Sequence, residues 1–469
     1  MSMLWNRGIV ALLVAFAARS VGSQTPAEPT PCTLVAQPTT RLSADTLPTG
    51  GQVAFIGGGV ILKCPKRGIT LTSDSAERYP DKDFLVGHVV YDEPRFHVVS
   101  DFLTHYPADE RVVAVGNVDA RLPSGSTLVG PIAEYRRPLA KVRERRQIFA
   151  RLRPTITIVE KDSAGKAPKP MVVVADTVFM DGDSLIYGMG RVTITRPDIN
   201  ASADSVFIDQ GHETMRLMRN PQLTGTKERP FTLTGDLIDL FSKNRKLQQV
   251  IARANATAVS DSLTLKSDTI DLRMKNDLLD HAFAWGAKSR ARAVSPSQNM
   301  LADSLDVSMP GQRVQLVRAL RRAFAQGKPD TTHFRVEKPD TTDWLQGDTI
   351  TAHFDTIAVK KDTSKSPAIK QLVATGNARS LYHMAPSDTS ERRPAINHVV
   401  ARLIVIDFDS SKVATVTTVD SVFGIFIEPK AETDSTRRAK ADNGPAKPGS
   451  NPKTPPKSIV PVPKPPKKP

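Results

Sequence analysis

Eight aspartates recur along this 469-residue chain in one phrase: a small residue, Asp, then alternating apolar positions. The phrases run SDSAERY (73–79), SDFLTHY (100–106), ADTVFMD (175–181), ADSVFID (203–209), GDLIDLF (235–241), SDTIDLR (267–273), ADSLDVS (302–308) and GDTITAH (347–353). A carboxylate repeated this often could serve as an acid–base catalyst, a calcium ligand or an acceptor for backbone amides. Acid–base catalysis needs one or two placed groups rather than eight copies, and the Gly-rich nonapeptide of calcium-binding repeats is missing. The third use remains, so Asp176, Asp204, Asp236, Asp268, Asp303 and Asp348 are expected at strand starts, holding structural corners by bonding turn amides. The nine histidines lack metal-ligand spacing. No HExxH, GxSxG, Walker loop or dinucleotide fingerprint is found. We therefore expect no catalytic residue, no metal, no cofactor and no enzymatic activity.

The elements that carry these aspartates follow from parity. Side chains alternate across a strand, so Asp268 shares a face with Ile270, Leu272 and Met274. The same reasoning makes Val178, Met180, Val206, Ile208, Ile238, Leu240, Ile270, Leu272, Leu305, Val307 and Ile350 an inward, apolar set. Turn residues follow about eight positions after each Asp, among them Pro107, Gly211, Asn244 and Asn276. Return strands come next, such as RVVAVGNVDARL (111–122), KLQQVIARANATAV (246–259) and IKQLVATGNARSLY (369–382). One repeat is then two antiparallel strands and two turns. With ten repeats each adding one strand to each of two sheets, the stack would measure roughly 48 Å. Residues 312–327 also show helical spacing, but the repeat register makes them a return strand. Residues 138–153 permit a short helix between Pro138 and Pro154.

The remaining segments divide the chain. Residues 1–23 read as a cleaved signal peptide, with a basic start, an apolar run from Gly8 to Ala18 and small residues at Val21-Gly22-Ser23. Residues 24–50 form a Pro-rich leader. A first β region spans 51–160, a second and longer one 161–428, and a Pro/Lys-rich tail 429–469. In an exported protein, Cys32 and Cys64 favour a disulfide. The net charge of +15 is concentrated in a basic insert at 136–153 and in the tail, leaving the body close to neutral. Such appendages suit an anionic partner, and export argues against nucleic acid. Contact of the tail with an anionic membrane or cell wall fits, and so does a plain solvated surface.

Three phrases, VVSDFLTHYPADERVVAVGNVDARL (98–122), ADTVFMDGDSLIYGMGRVTITRPDINASADSVFID (175–209) and FTLTGDLIDLFSKNRKLQQVIARANATA (231–258), resemble the OstA-like family of lipopolysaccharide-export proteins: LptA, LptC and the N-terminal domain of LptD. The resemblance covers roughly residues 50–410 and suits an extended LptA-like member. It implies an elongated all-β jelly roll of two antiparallel sheets in a V. It also implies an apolar groove for the acyl chains of lipopolysaccharide or lipid A, a periplasmic location, and end-to-end strand addition to LptC- and LptD-like proteins or to further copies. The inward set would line that groove, or would pack sheet on sheet in a lipid-free β-solenoid that scaffolds the cell envelope. Sequence leaves open whether the groove is open or shut.

Overall fold

The computed structural model describes residues 33–34, 41–48, 50–159, 170–226, 230–260, 263–296, 298–329, 331, 334–336, 342–355, 368–387, 392–409 and 412–429. The signal segment, Cys32, most of the leader and the tail beyond residue 429 lie outside them. Among the described residues every regular element is a strand, apart from two single 3-10 turns at Pro65–Arg67 and Pro310–Gln312. All strand pairs are antiparallel and join into one hydrogen-bonded order.

The order makes two sheets because the strands bend. In the first third, long strands such as Asp83–Glu93, Phe96–Tyr106 and Arg111–Arg121 pair along both halves, with the register broken midway, at Val86/Val89, Val99/Phe102 and Val115/Val118. From residue 147 some rungs divide at the bend. Gln147–Arg151 pairs with one half of Thr127–Arg136 and Thr155–Ile158 with the other. Leu185–Thr195 spans both halves again. The ladder crosses residue 160 without interruption, since Thr155–Ile158 pairs with Met171–Val174.

A local conformation produces the bend. Two successive residues with positive φ occupy it: Gly116-Asn117, Gly190-Arg191, Ala254-Asn255, Arg321-Arg322 and Gly376-Asn377. A two-residue detour of this kind turns the strand and preserves side-chain parity, as β-bulges do. Ile186 before the corner and Val192 and Ile194 after it are therefore all buried. Gly190 is required there twice over: its φ is +77°, and a Cβ would overlap the Asp176 carboxylate.

The interior is one continuous cluster running from Ile56 to Ile406. Beside the corner its members are small, as in Ala252 and Ala256, Ala319 and Ala323, Ala374 and Ala378. Small side chains let the two sheets converge, and larger ones such as Leu240, Leu247 and Leu272 fill the wider space away from it. Each out-and-back repeat contributes two strands to each sheet rather than one. The stack thus holds about 22 rungs and, at about 4.8 Å each, measures on the order of 100 Å. The expected 48 Å is corrected accordingly. Residues 316–327 are a strand, as the repeat register required. Residues 138–153 hold no helix: a β-bridge from Leu139 to Arg143 leads into the strand Gln147–Arg151.

Candidate functional site: the interior and its mouth

The inward residues singled out from sequence fall into two rows on one sheet. Val178, Val206, Ile238, Ile270, Leu305 and Ile350 occupy the first, linked rung by rung through Gly188, Leu217, Ala252, Ala284 and Ala319. Met180, Ile208, Leu240, Leu272 and Val307 occupy the second, one step farther from the corner. All eleven are between 0 and 3% exposed, so the opposite sheet is shut down upon them. That opposite sheet supplies its own row, Ile156, Val173, Ile194, Leu223, Leu233 and Leu265 among others. Sequence reading missed this row. Its signal was the TIT, TIT and TLT alternation at 155–157, 193–195 and 232–234.

The aspartates stand at the corner. Asp176, Asp236 and Asp303 directly precede the strands Thr177–Asp181, Leu237–Lys243 and Ser304–Ser308, as expected, whereas Asp204, Asp268 and Asp348 lie inside Ile199–Asp209, Thr264–Lys275 and Asp343–Asp355, at the bend. The preceding small residue points into the apex, where Ala175, Ala203, Ser267 and Ala302 are buried. Asp268 bonds turn amides. It accepts from Lys288 N at 2.6 Å, Ser289 N at 3.2 Å and Ser289 Oγ at 2.7 Å, and these donors lower its pKa to about 2. Elsewhere the partner is a corner side chain. Asp204, Asp236 and Asp348 accept from Asn220, Asn255 and Asn377. Asp176 pairs with Arg191 and Arg153, and Asp303 with Arg322, each carboxyl held below its usual range by the guanidinium hydrogen bond. Most of the expected amide bonds are therefore replaced, because the left-handed residue beside each Asp brings its own donor. Cys64 is buried and disulfide-bonded.

Opposite the corner is the mouth, where strand ends of the two sheets face each other. In the first third it is closed by a buried network. Glu93 on one sheet accepts from the Tyr135 and Tyr91 hydroxyls and pairs with Arg137 at 3.2 Å. Arg137 also reaches Glu110 at 3.1 Å, and Glu110 takes Arg67 from the facing sheet. Burial, with Glu93 beside them, raises both tyrosine pKa values. The basic insert is largely consumed here. Arg136 and Arg151 pair with Glu134, Arg146 with Asp183, and Arg143 donates to the Arg137 and Asp109 carbonyls. These pairings leave little of the insert's charge for an anionic partner and favour the plain-surface alternative.

Farther along, a cleft of about 250 Å³ indents the mouth, lined by Ile158 and the half-buried Met171 of one sheet and by Ile208 and Met215 of the other. Its collar is largely neutralised by internal pairs, Arg196 with Asp198 and Arg245 with Glu213. The cleft thus offers apolar surface without a charge of one sign. Among the described residues, no group of three His, Cys, Asp or Glu side chains is placed to hold a metal ion. No helix there is long and apolar enough to cross a membrane.

No family model and no curated protein matches the chain. Part of it is similar to the crystal structure of LptH, the LptA-homologous periplasmic component of the lipopolysaccharide transport device of Pseudomonas aeruginosa. The identity is 16%, the match covers 27% of this chain and 94% of that one, and the TM-score is 0.23. A superposition that loose bears no weight, and the all-β architecture rests on the ladder itself.

Proposed function

We propose that the protein is a periplasmic lipid carrier that shields the acyl chains of lipopolysaccharide between its two sheets, as part of a bridge from inner to outer membrane. The observation that carries this reading is the pair of inward rows, Val178 to Ile350 and Met180 to Val307, which hold only apolar residues from end to end. An exposed acyl chain costs about 0.8 kcal/mol per methylene, and a uniform lining removes that cost at every point of a path. The cleft at Met171 and Met215 is the place where a chain reaches the rows, and further entry parts the sheets at the mouth. The carrier performs no catalytic step.

Assembly would use the ends. The final rung, Lys412–Val419 with Phe423–Ile427, leaves Phe423, Ile425, Phe426 and Ile427 exposed, and strand edges are templates for addition. LptC- and LptD-like proteins, or further copies, are the proposed partners there.

Photo-crosslinking tests the reading. A probe at Met215 or Ile270 should capture lipid A in cells, and one at the outward Arg292 should not. Equal capture from all three would remove the proposal. A second reading, a lipid-free scaffold of the envelope, draws on the near-complete burial of the lining. It predicts native mass spectra free of lipid and an interior closed to a spin-labelled fatty acid.

A further inference from the structure

An apolar stripe runs across the outside of one sheet, where alternation should place polar residues. Phe149, Phe179, Tyr187 and Phe207 sit side by side on four neighbouring strands, with ring centroids 5.6, 5.8 and 4.8 Å apart. Met189 flanks them and is 48% exposed. The stripe ends at the next rungs, where the same outward row becomes the ion pair of Arg216 with Asp239. Over the matching rungs the other sheet carries Thr155, Val174, Thr193 and Ser202 in its outward row, continued by Gln222 and Thr234. Over these rungs the aromatic face therefore belongs to one sheet; on the other, outward aromatics are met only farther along, where Phe324 stacks on Trp344.

We propose that this stripe is the docking site of the chain's own C-terminal segment, residues 458–469, SIVPVPKPPKKP. Proline-rich segments bind aromatic-lined surfaces because a proline ring stacks on an aromatic one and the segment loses little conformational freedom. Four features of the stripe and its strands fit this occupant. Its length of about 14 Å over three rung spacings matches five or so extended residues at about 3.1 Å each, the span of Pro461 to Pro466. The Tyr187 hydroxyl makes no hydrogen bond among the described residues and is available to a peptide carbonyl. The stripe already takes a cation, Arg151 lying 5.4 Å from the Phe149 ring centroid. On the same strands Asp181 and Asp204 form no ion pair among the described residues, bonding only Gln147 and Asn220. Lys464, Lys467 and Lys468 complement them.

The reach is sufficient. From the last rung to the strand Ile199–Asp209 is about eleven rungs, or about 53 Å. Roughly 28 residues separate Lys430 from Ser458, and extended they span about 87 Å. A tethered segment binds at the high effective concentration its linker sets, which compensates a shallow site.

The test uses the full chain with a photo-crosslinking residue in place of Val462. Crosslinks should map within one chain, to Phe179–Met189 and Phe207. Tyr187→Ser with Met189→Ser should lower their yield at least five-fold, as should Pro463→Ala with Pro466→Ala, with unchanged circular dichroism. Excess free peptide of residues 458–469 should compete. A scattered map, a yield indifferent to these variants, or crosslinks found only between isotopically distinct chains would each overturn the proposal. The last result would assign the stripe to a second copy.

Discussion

Glu93 and Arg137 come from different sheets and meet at 3.2 Å across the mouth, with little of either side chain exposed. Arg137 is shared with Glu110, so one guanidinium neutralises two carboxylates that would otherwise be buried unpaired. The corner on the other side is covalent. Of the two sides of the section, only this one depends on side chains alone to stay closed.

Removal of the shared cation should therefore be costly. Arg137→Ala leaves Glu93 and Glu110 short of a partner, and breaking a buried pair in this way costs about 3–5 kcal/mol. Tyr135→Phe removes one donor to Glu93 and should cost about 1–3 kcal/mol. Hydrogen exchange should report the loss in residues 91–137 and leave 368–409 unaffected.

Asp268 gives a pH signature. Its folded pKa of about 2 is depressed, so its stabilisation is complete above the unfolded carboxylate value near 4 and is lost as pH falls from about 4 to 2. Asp268→Asn should remove that segment of the acid limb. Amide exchange at Lys288 and Ser289, followed across this range, should respond in the native chain and be flat in the variant.

Ser267 sits at the apex with its hydroxyl buried and without a hydrogen-bond partner. At equivalent positions Ala203 and Ala302 carry no hydroxyl, and Ser73 and Ser100 donate theirs to the Ser75 and Phe102 carbonyls. Ser267→Ala should stabilise the protein by about 1 kcal/mol, and Ala302→Ser should destabilise it by about 1–3 kcal/mol. Denaturant midpoints at constant m-value distinguish the two.

The cleft should respond to charge. Met171→Glu places a carboxylate against Ile158 and Ile208 at the opening. Lipid A captured from a probe at Ile270 should fall at least ten-fold, with thermal unfolding little changed because Met171 is only half-buried. Capture at the native level would mean that lipid does not pass this opening.

Much of the interior was legible because an alternating row has one reading. Once Ile270 and Leu272 face inward, Ile238 and Leu240 must as well, and the ladder puts them in the same two rows. The facing sheet was harder to see because its inward positions are flanked by threonines and include Ala258 and Ala293, which carry little hydrophobic contrast. Glycine marks the bend within the strand at Gly116-Asn117, Gly190-Arg191 and Gly376-Asn377, but Ala254-Asn255 and Arg321-Arg322 adopt positive φ without it, and composition hides those two. The charge of residues 136–153 was visible, but of the carboxylates that neutralise it Glu93 and Glu110 lie 44 and 27 residues from Arg137 in sequence.

The out-and-back repeat makes length a quantised property. Every two-strand unit brings the chain back to the same side of the section, with both sheets advanced by two rungs, about 9.6 Å. Excision of one 32-residue interval, from Asp236 to Ser267, would shorten the molecule by one such step and leave its cross-section, its corner and both its ends as they are. The fold behaves as a ruler whose graduations are repeats, so reach can be altered by duplication or loss without any residue of the interior being redesigned.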